Sequence, residues 1–249
     1  MDLHGNGHTK GDGPLRIVVL QHAGWEGPGT FGRVLDERGA IMIPVRVDKG
    51  DQPPQLSSAD GILAMGGPMS VNDSLPWLSP EKEYIRRAVR TEVPFFGVCL
   101  GAQLLASSLG APVKPADTHY GMHPVELAPG AFTDPLFGGL PRTVPVFQWH
   151  GENFDNPAGA TRLAGSPGCP NEAIRVGDSA YGIQFHLEVG ERLLDDWLRT
   201  PDCLGELVER CGPGSPGAIT EELRAAAVRM ERCARRVFGG WVDLVAKVR

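Results

Sequence analysis

The stretch Val93-Pro94-Phe95-Phe96-Gly97-Val98-Cys99-Leu100-Gly101-Ala102-Gln103-Leu104-Leu105-Ala106 joins two different patterns. Its first half is a short apolar run after a proline, which is typical of a buried strand. From Leu100 to Leu109, Leu, Ala and Gln recur at helical spacing, and Gly110 supplies a helix-end signal. The stretch therefore predicts a strand, a tight turn at Cys99 and a helix.

Cys99 has a glycine two residues away on either side, at Gly97 and Gly101. Small neighbours at these positions allow the sharp strand-to-helix turn that exposes a nucleophile, here with cysteine in place of serine. A helix N-terminus at Leu100 favours the thiolate form of the cysteine. A buried, inert thiol is the alternative, because cysteine reactivity depends on the local pKa and not on the motif.

A second motif, Tyr181-Gly182-Ile183-Gln184-Phe185-His186-Leu187-Glu188-Val189, carries a histidine and a carboxylate two residues apart. Side chains at this spacing share one face of a strand. A cysteine nucleophile needs a base, and the base benefits from a third group that fixes its tautomer. Cys99, His186 and Glu188 can fill these roles. A half-buried strand with an incidental His and Glu is the alternative.

Two further stretches complete a set of four in consistent order. They are Gly61-Ile62-Leu63-Ala64-Met65-Gly66-Gly67-Pro68-Met69-Ser70-Val71 and Phe147-Gln148-Trp149-His150-Gly151-Glu152. Over roughly Leu15 to Trp197 the chain resembles the class I glutamine amidotransferases, in particular the free-standing members that are like the GMP-synthase glutaminase. Four motifs in register are more specific than any one of them. The chain departs from many members at Ala102, where they have His, and at Leu187, where they have Pro.

The resemblance implies a flavodoxin-like architecture and a role for six residues. Cys99, His186 and Glu188 would form the catalytic triad, and the N–H groups of Gly67 and Leu100 would form the oxyanion hole. Gln103 would line the glutamine pocket, with a surface helix glutamine as the alternative. His150 is expected to be structural, since His186 already has a carboxylate partner.

The order of predicted elements indicates an α/β fold with a doubly wound, mainly parallel sheet flanked by helices. Ligands bind beyond the carboxyl ends of the strands in such sheets, where Gly67 and Cys99 fall. We expect a disordered tail over 1–14, one amidotransferase domain over 15–200, and a helical C-terminal extension over 201–249 packed on that domain.

Several local patterns predict individual elements. The predicted elements include a helix over Ser79–Arg90 capped by Ser79, a strand over Tyr181–Phe185, an exposed loop holding Cys169, a loop over Gly212–Gly217 and a helix over Ile219–Val237. His119 and His123 are four residues apart, but Gly121 and Pro124 argue against the helical geometry that makes such a pair chelate a metal.

Composition excludes several classes of function. The 249 residues include 24 basic and 30 acidic side chains, and this net charge of −6, without any basic run, argues against nucleic-acid binding. Five cysteines without a CxxC pair suit a reducing cytoplasm. No apolar run reaches membrane-spanning length, so we expect no membrane association. No ligand spacing or phosphate loop indicates a metal or cofactor, and none is expected.

The expected reaction is hydrolysis of the glutamine side-chain amide to glutamate and ammonia through a thioester on Cys99. Because the chain shows no synthase half, ammonia would pass to a separate synthase subunit. One alternative is a γ-glutamyl hydrolase that cleaves a γ-glutamyl peptide or conjugate with the same triad. A catalytically silent regulatory subunit is a further alternative, against which the intact Cys99, His186 and Glu188 set argues.

Overall fold

Nine strands form one mixed sheet in the computed structural model, which describes residues 13–249. The strands in chain order are β1 (Arg16–Gln21), β2 (Ile41–Arg46), β3 (Gly61–Ala64), β4 (Phe95–Val98), β5 (Val113–Leu127), β6 (Thr143–Phe154), β7 (Thr161–Ser166), β8 (Cys169–Val176) and β9 (Ala180–Ile183). The expected tail over 1–14 lies almost wholly outside the described residues.

Six α-helices accompany the sheet within residues 13–249. They are α1 (Gly29–Glu37), α2 (Leu78–Arg90), α3 (Leu100–Ser108), α4 (Glu191–Leu198), α5 (Pro201–Cys211) and α6 (Ser215–Val248). No helix in this part of the chain combines the length and the apolar character needed to cross a membrane.

The sheet order is β2-β1-β3-β4-β9-β8-β7-β5-β6. Read in this order across the sheet, the first five strands, from β2 to β9, pair in parallel. The remaining neighbours, from β9 through β8, β7 and β5 to β6, pair antiparallel. The predicted doubly wound α/β fold is confirmed. The parallel half ends at β4 and β9, and the two sequence motifs with Cys99 and His186 follow these adjacent strands.

Two hydrophobic cores cover the two faces of the parallel half. Successive side chains of β1 point into the two cores in turn, with Ile17 in one core and Val18 in the other. On the first face α1 and α6 meet over the sheet, where the Phe31 and Phe238 rings stack with centroids 4.2 Å apart. Ile85 of α2 belongs to the second core together with side chains of α3. Burial on both faces explains why the central strands are continuous apolar runs.

Three predicted boundaries are wrong. Helix α2 begins at Leu78 with Trp77 at the N-cap position, so Ser79 is not the cap. Helix α6 begins at Ser215 and continues to Val248, because proline is tolerated in a first turn and buried residues recur at helical spacing past Val237. Strand β9 ends at Ile183, so His186 and Glu188 lie beyond the strand and not on it.

Candidate active site

Cys99 occupies the turn between β4 and α3 in a strained conformation. Its backbone has φ 50° and ψ −108°, and its N–H donates to the Ile183 carbonyl oxygen at 2.8 Å. A side chain with φ in this range is uncommon and persists only where the surroundings enforce it. Here the crossing of Gly97 and Gly101 enforces it, since a Cβ on Gly97 would lie 2.5 Å from the Gly101 carbonyl carbon. The structure therefore has the strand-turn-helix geometry that the sequence predicts.

The two expected oxyanion donors lie beside each other next to Cys99. Leu100 is the first residue of α3, so its N–H has no partner within the helix. Gly67 packs so closely against Leu100 that a Cβ on Gly67 would be 2.9 Å from the Leu100 Cδ2 atom. Gly67 and Cys99 line the same cavity, which has a volume of about 270 Å³. Gly67 thus lines the cavity, and Leu100 lies next to both Gly67 and Cys99.

His186 lies between Cys99 and Glu188. Its Nδ1 atom is 2.6 Å from the Glu188 Oε1 atom, and both side chains are buried. Burial by itself lowers the pKa of His186, but the Glu188 carboxylate and hydrogen bonding to Cys99 outweigh it and hold the pKa well above its usual value. The structure therefore pairs His186 with Glu188 and places Cys99 near the same imidazole.

The first turn of α1 holds Glu188 in place. The Thr30 N–H donates to the Glu188 carbonyl oxygen at 2.9 Å. Gly29 has φ +47°, and a Cβ there would lie 2.3 Å from the same oxygen. Only glycine allows this approach without displacing the carboxylate residue.

Gln103 is buried beside Cys99. Its Nε2 atom donates to Gln184 Oε1 at 3.2 Å, and Gln184 Nε2 donates to the Cys99 Sγ atom at 3.6 Å. A second contact runs from Gln103 Nε2 to the Glu152 carbonyl oxygen at 3.4 Å. Gln103 lines the cavity around Cys99, so a role as a surface glutamine is wrong.

His22 is a site residue that the sequence analysis did not identify. Its Nε2 atom lies 2.9 Å from Glu81 Oε1, and its Nδ1 atom lies 3.0 and 3.2 Å from the carbonyl oxygens of Met65 and Gly66. Burial lowers the pKa of His22, but the Glu81 carboxylate outweighs this and leaves the pKa raised. The buried His22–Glu81 pair thus holds the backbone just before Gly67. No sequence motif indicates this pair, because His22 and Glu81 are 59 residues apart in the chain.

Glu26 is a second residue that the sequence analysis missed. It lines the cavity with Cys99, is only 9% exposed, and its Oε2 atom is buried without a hydrogen-bond partner. A Cβ on Gly66 would lie 2.8 Å from Glu26 Oε2 and 3.4 Å from His186 Cε1, so the two side chains flank the same point. Burial raises the pKa of Glu26 to about 7, and the neighbouring Glu188 charge adds to this.

Glu26→Gln is expected to stabilise the protein at neutral pH. A carboxyl with a raised folded-state pKa binds more protons in the folded state, so its contribution to stability falls as pH rises from about 4.5 to about 7. One pKa unit corresponds to about 1.4 kcal/mol, which puts the gain from the substitution at roughly 3 kcal/mol at most above pH 7. Urea unfolding of both proteins between pH 4.5 and 8 measures the difference.

The exposed carboxylate Glu209 provides the control for this comparison. Glu209→Gln removes the same charge and should shift the unfolding free energy by less than about 0.5 kcal/mol at every pH. An equal gain for Glu26→Gln at pH 4.5 and pH 8 would contradict a raised folded-state pKa of Glu26.

A polar cluster adjoins the cavity through His150. His119, His150, Cys169 and Glu172 offer donor atoms within 4.8 Å of one another. His150 Nε2 lies 2.8 Å from Gln148 Oε1, and Gln148 Nε2 donates to Glu172 Oε1 at 3.1 Å. Burial lowers the pKa of His150 to about 3, so its imidazole is neutral and suits the structural role expected for it. The expectation that the chain binds no metal stays a prediction, which metal analysis of the purified protein tests.

The predicted exposed loop position of Cys169 is wrong. Cys169 is fully buried and begins β8, because Pro167 and Gly168 form a tight turn that pairs it with Ser166. Burial raises the pKa of its thiol to about 12. Cys211 is the exposed cysteine among the five.

We expect a glutamine-shaped electrophile to label Cys99 selectively at neutral pH. Cys99 is the cysteine that combines a helix N-terminus, a histidine neighbour and a cavity. Cys203 also lines the cavity, but burial raises its pKa to about 12. Peptide mapping after labelling, with and without free glutamine, gives the result.

Iodoacetamide labelling of Cys211 serves as the control for general thiol reactivity. Equal labelling of Cys99 and Cys211 by the glutamine analogue would contradict a substrate pocket at Cys99.

Comparisons with known proteins agree with this geometry. The family described as "Glutamine amidotransferase class-I" matches residues 32–198. The glutamine amidotransferase-like protein YfeJ of Salmonella typhimurium is 29% identical over 181 residues, which cover 70% of this chain and 76% of YfeJ. The GMP synthase [glutamine-hydrolyzing] of Porphyromonas gingivalis is 34% identical over 59% of this chain and 29% of its own length. This chain thus spans less than a third of that GMP synthase.

Solved structures of glutamine amidotransferases are also similar to this chain. A glutamine amidotransferase from Thermotoga maritima superimposes with a TM-score of 0.83 at 26% identity, over 94% of this chain and 98% of that one. A glutamine amido transferase from Methylobacillus flagellatus gives a TM-score of 0.81 at 29% identity, over 92% and 94%. The chain belongs to the class I glutamine amidotransferase family, as the four sequence motifs predict. It is therefore an enzyme of the glutamine-hydrolysing kind.

Proposed function

We propose that this enzyme hydrolyses the side-chain amide of glutamine to glutamate and ammonia with Cys99 as nucleophile, His186 as base and Glu188 as the group that orients the base. The observation that carries the proposal is the buried His186–Glu188 pair at 2.6 Å, whose imidazole also contacts a cysteine on a strained turn. A base fixed by a third group is the arrangement that activates a cysteine nucleophile.

The contacts support a two-step acyl transfer. His186 takes the proton of Cys99, the sulfur attacks the γ-carbonyl carbon, and the N–H groups of Gly67 and Leu100 stabilise the oxyanion. Each such donor is typically worth about 3 kcal/mol. The C–N bond then breaks, and His186 gives its proton to the departing ammonia. Water activated by the same histidine cleaves the thioester and releases glutamate.

Gln103 is proposed to hold the γ-glutamyl part of the substrate. Its amide faces the cavity and is fixed through Gln184, which also contacts the Cys99 sulfur. A buried amide held in this way presents hydrogen-bonding groups to a ligand without a further entropic cost of ordering. Its role is to position the γ-carbonyl over the nucleophile.

Ammonia is proposed to pass to an acceptor on a separate synthase subunit. The GMP synthase relatives support this, since this chain matches only 29% of the length of the Porphyromonas gingivalis enzyme. The net charge of −6 argues against a nucleic acid as the partner.

A γ-glutamyl hydrolase is the second candidate, and the shape of the cavity favours it. The cavity lining includes Trp197 and Glu206 on α5 besides Gly67 and Cys99, so a leaving group larger than ammonia would have side chains to contact. The same triad would then release an amine in place of ammonia, without a synthase partner.

Turnover of purified enzyme on glutamine and on γ-glutamyl amides separates these functions. Glutamate release from glutamine, with one ammonia per glutamate, is the result expected for a glutaminase. Release of glutamate from γ-glutamyl amides alone would replace the leading proposal by the hydrolase. Absence of turnover on every compound, with and without a synthase partner, would leave only a silent regulatory subunit.

A further inference from the structure

The cavity around Cys99 has one wall of aromatic and acidic side chains. This wall, here called the acidic wall, consists of Trp25, Glu26, Trp149, Trp197 and Glu206. The Trp149 and Trp197 rings are edge to face with centroids 5.5 Å apart, and Trp197 Nε1 donates to the Trp25 carbonyl oxygen at 3.0 Å. These contacts make the wall one continuous surface.

The acidic wall lies on the side of the cavity from which a leaving group departs. In the proposed reaction His186 must protonate the departing nitrogen, so this nitrogen leaves next to His186. The Trp197 ring is 5.1 Å from the His186 ring, centroid to centroid, and Glu26 flanks the same point as His186. Gln103, which is proposed to hold the γ-glutamyl part, lines the same cavity.

The ionisable side chains of this wall are both carboxyls. Glu26 is buried with its Oε2 atom unpaired, whereas Glu206 is exposed near the mouth and accepts a hydrogen bond from Tyr120 at 2.7 Å. The cavity lining, drawn entirely from the described residues 13–249, includes no Lys or Arg. A buried carboxylate without a partner is costly. The wall is therefore suited to a positively charged group.

Three of the five wall residues lie outside the range 32–198 that the family description matches. Trp25 and Glu26 precede the matched range 32–198, and Glu206 follows it on α5. Trp25 and Glu26 lie in the loop between β1 and α1, and Glu206 lies on α5, so the wall combines parts of the chain that are far apart in sequence.

We infer that this site also hydrolyses γ-glutamyl amides whose leaving group is a cationic aliphatic amine, such as a diamine, with Glu26 and Glu206 as specificity-determining residues. This inference rests on the proposed function, because it uses the same Cys99 chemistry. The Cys99 sulfur first bonds to the γ-carbonyl carbon, the amide C–N bond of the tetrahedral intermediate then breaks as His186 gives its proton to the departing nitrogen, and water releases glutamate from the thioester. The second amino group of the diamine remains an ammonium ion throughout, and no oxidant or reductant is required.

Three γ-glutamyl amides of similar length test the inference: the n-butylamide, the 4-aminobutylamide and the 3-carboxypropylamide, with glutamine as the reference. The expected order of kcat/KM is cationic, then neutral, then anionic, with at least a roughly tenfold gap between the first and the last, because like charges at close range are strongly disfavoured. Glu26→Gln and Glu206→Gln should each reduce the ratio of cationic to neutral substrate. Glu209→Gln, a charge removal on the same helix as Glu206 but away from the cavity, should leave the ratio unchanged.

Equal kcat/KM for the cationic and anionic amides would overturn the inference while leaving glutamine hydrolysis in place. So would a Glu26→Gln enzyme that loses activity on all three amides by the same factor, since that is the behaviour of a purely structural residue. Calorimetric titration of the Cys99→Ala protein with the same amides gives the answer without turnover. Tighter binding of the 4-aminobutylamide supports the acidic wall even if the chemistry fails, and equal binding of all three refutes it.

Discussion

Cys99→Ala is expected to lower glutamine turnover by roughly 10⁴-fold or more, because removal of the proposed nucleophile would disable the proposed triad as a unit. His186→Ala should have an effect of similar size, since the imidazole both accepts and returns the proton. Glu188→Gln should cost less, because this residue orients His186 at 2.6 Å and transfers no proton itself. Steady-state release of glutamate by the three variants measures these effects.

The fold should survive these changes, which separates a chemical effect from a structural one. Cys99 has only a small side chain at the N-terminus of α3, so Ala at this position should leave far-UV circular dichroism and thermal unfolding near those of the wild type. Wild-type turnover by Cys99→Ala on every γ-glutamyl substrate would show that the nucleophile has been misassigned.

Gly101→Ala is expected to destabilise the protein by roughly 3 kcal/mol or more, the upper end of overpacking effects. A Cβ on Gly101 would lie 2.2 Å from the Ala64 carbonyl oxygen, which belongs to the backbone of β3 and has little freedom to move. Since Gly101 also crosses Gly97, the same change should displace the turn that carries Cys99. Urea unfolding and glutamine turnover should therefore both be affected.

Gly205→Ala is the matched control for this prediction. Gly205 is also a helical glycine, in α5, and a Cβ there meets no atom within 4 Å. Alanine at an open helical position should stabilise the protein by about 0.5–1 kcal/mol. If Gly101→Ala unfolded at the same urea concentration as Gly205→Ala, the close crossing of α3 and β3 would not be rigid.

The catalytic turn was predictable from sequence because its determinants are local. Gly97, Cys99 and Gly101 lie within five consecutive residues, and the change from an apolar run to helical spacing marks the strand-to-helix junction. His186 and Glu188 were predictable for the same reason, although the structure places them after β9 and not on it. The two-residue spacing therefore predicted that His186 and Glu188 lie together. Their contact is made in the segment after β9 and not on one face of a strand.

The remainder of the site depends on contacts between distant parts of the chain. His22 meets Glu81 across 59 residues, and Glu26 and Glu206 line one cavity from opposite ends of the sequence. No periodicity or motif reports such proximity, since it follows from the sheet order and from the packing of α5. Cys169 was misassigned for a related reason: a Pro-Gly pair that reads as a loop is here a tight turn within a hairpin.

The position of α6 has a consequence for how this protein is made. Trp241 of α6 packs over Gly61 and Phe96, and Phe238 stacks on Phe31, so this helix completes one face of the parallel sheet. Ribosomes synthesise protein from the N-terminus, so every strand is already translated before the 34 residues of α6 begin. At about 5–20 residues per second, translation of α6 takes roughly two to seven seconds. During that time the nascent chain carries all nine strands with an uncovered aromatic face, which is the kind of surface that molecular chaperones bind.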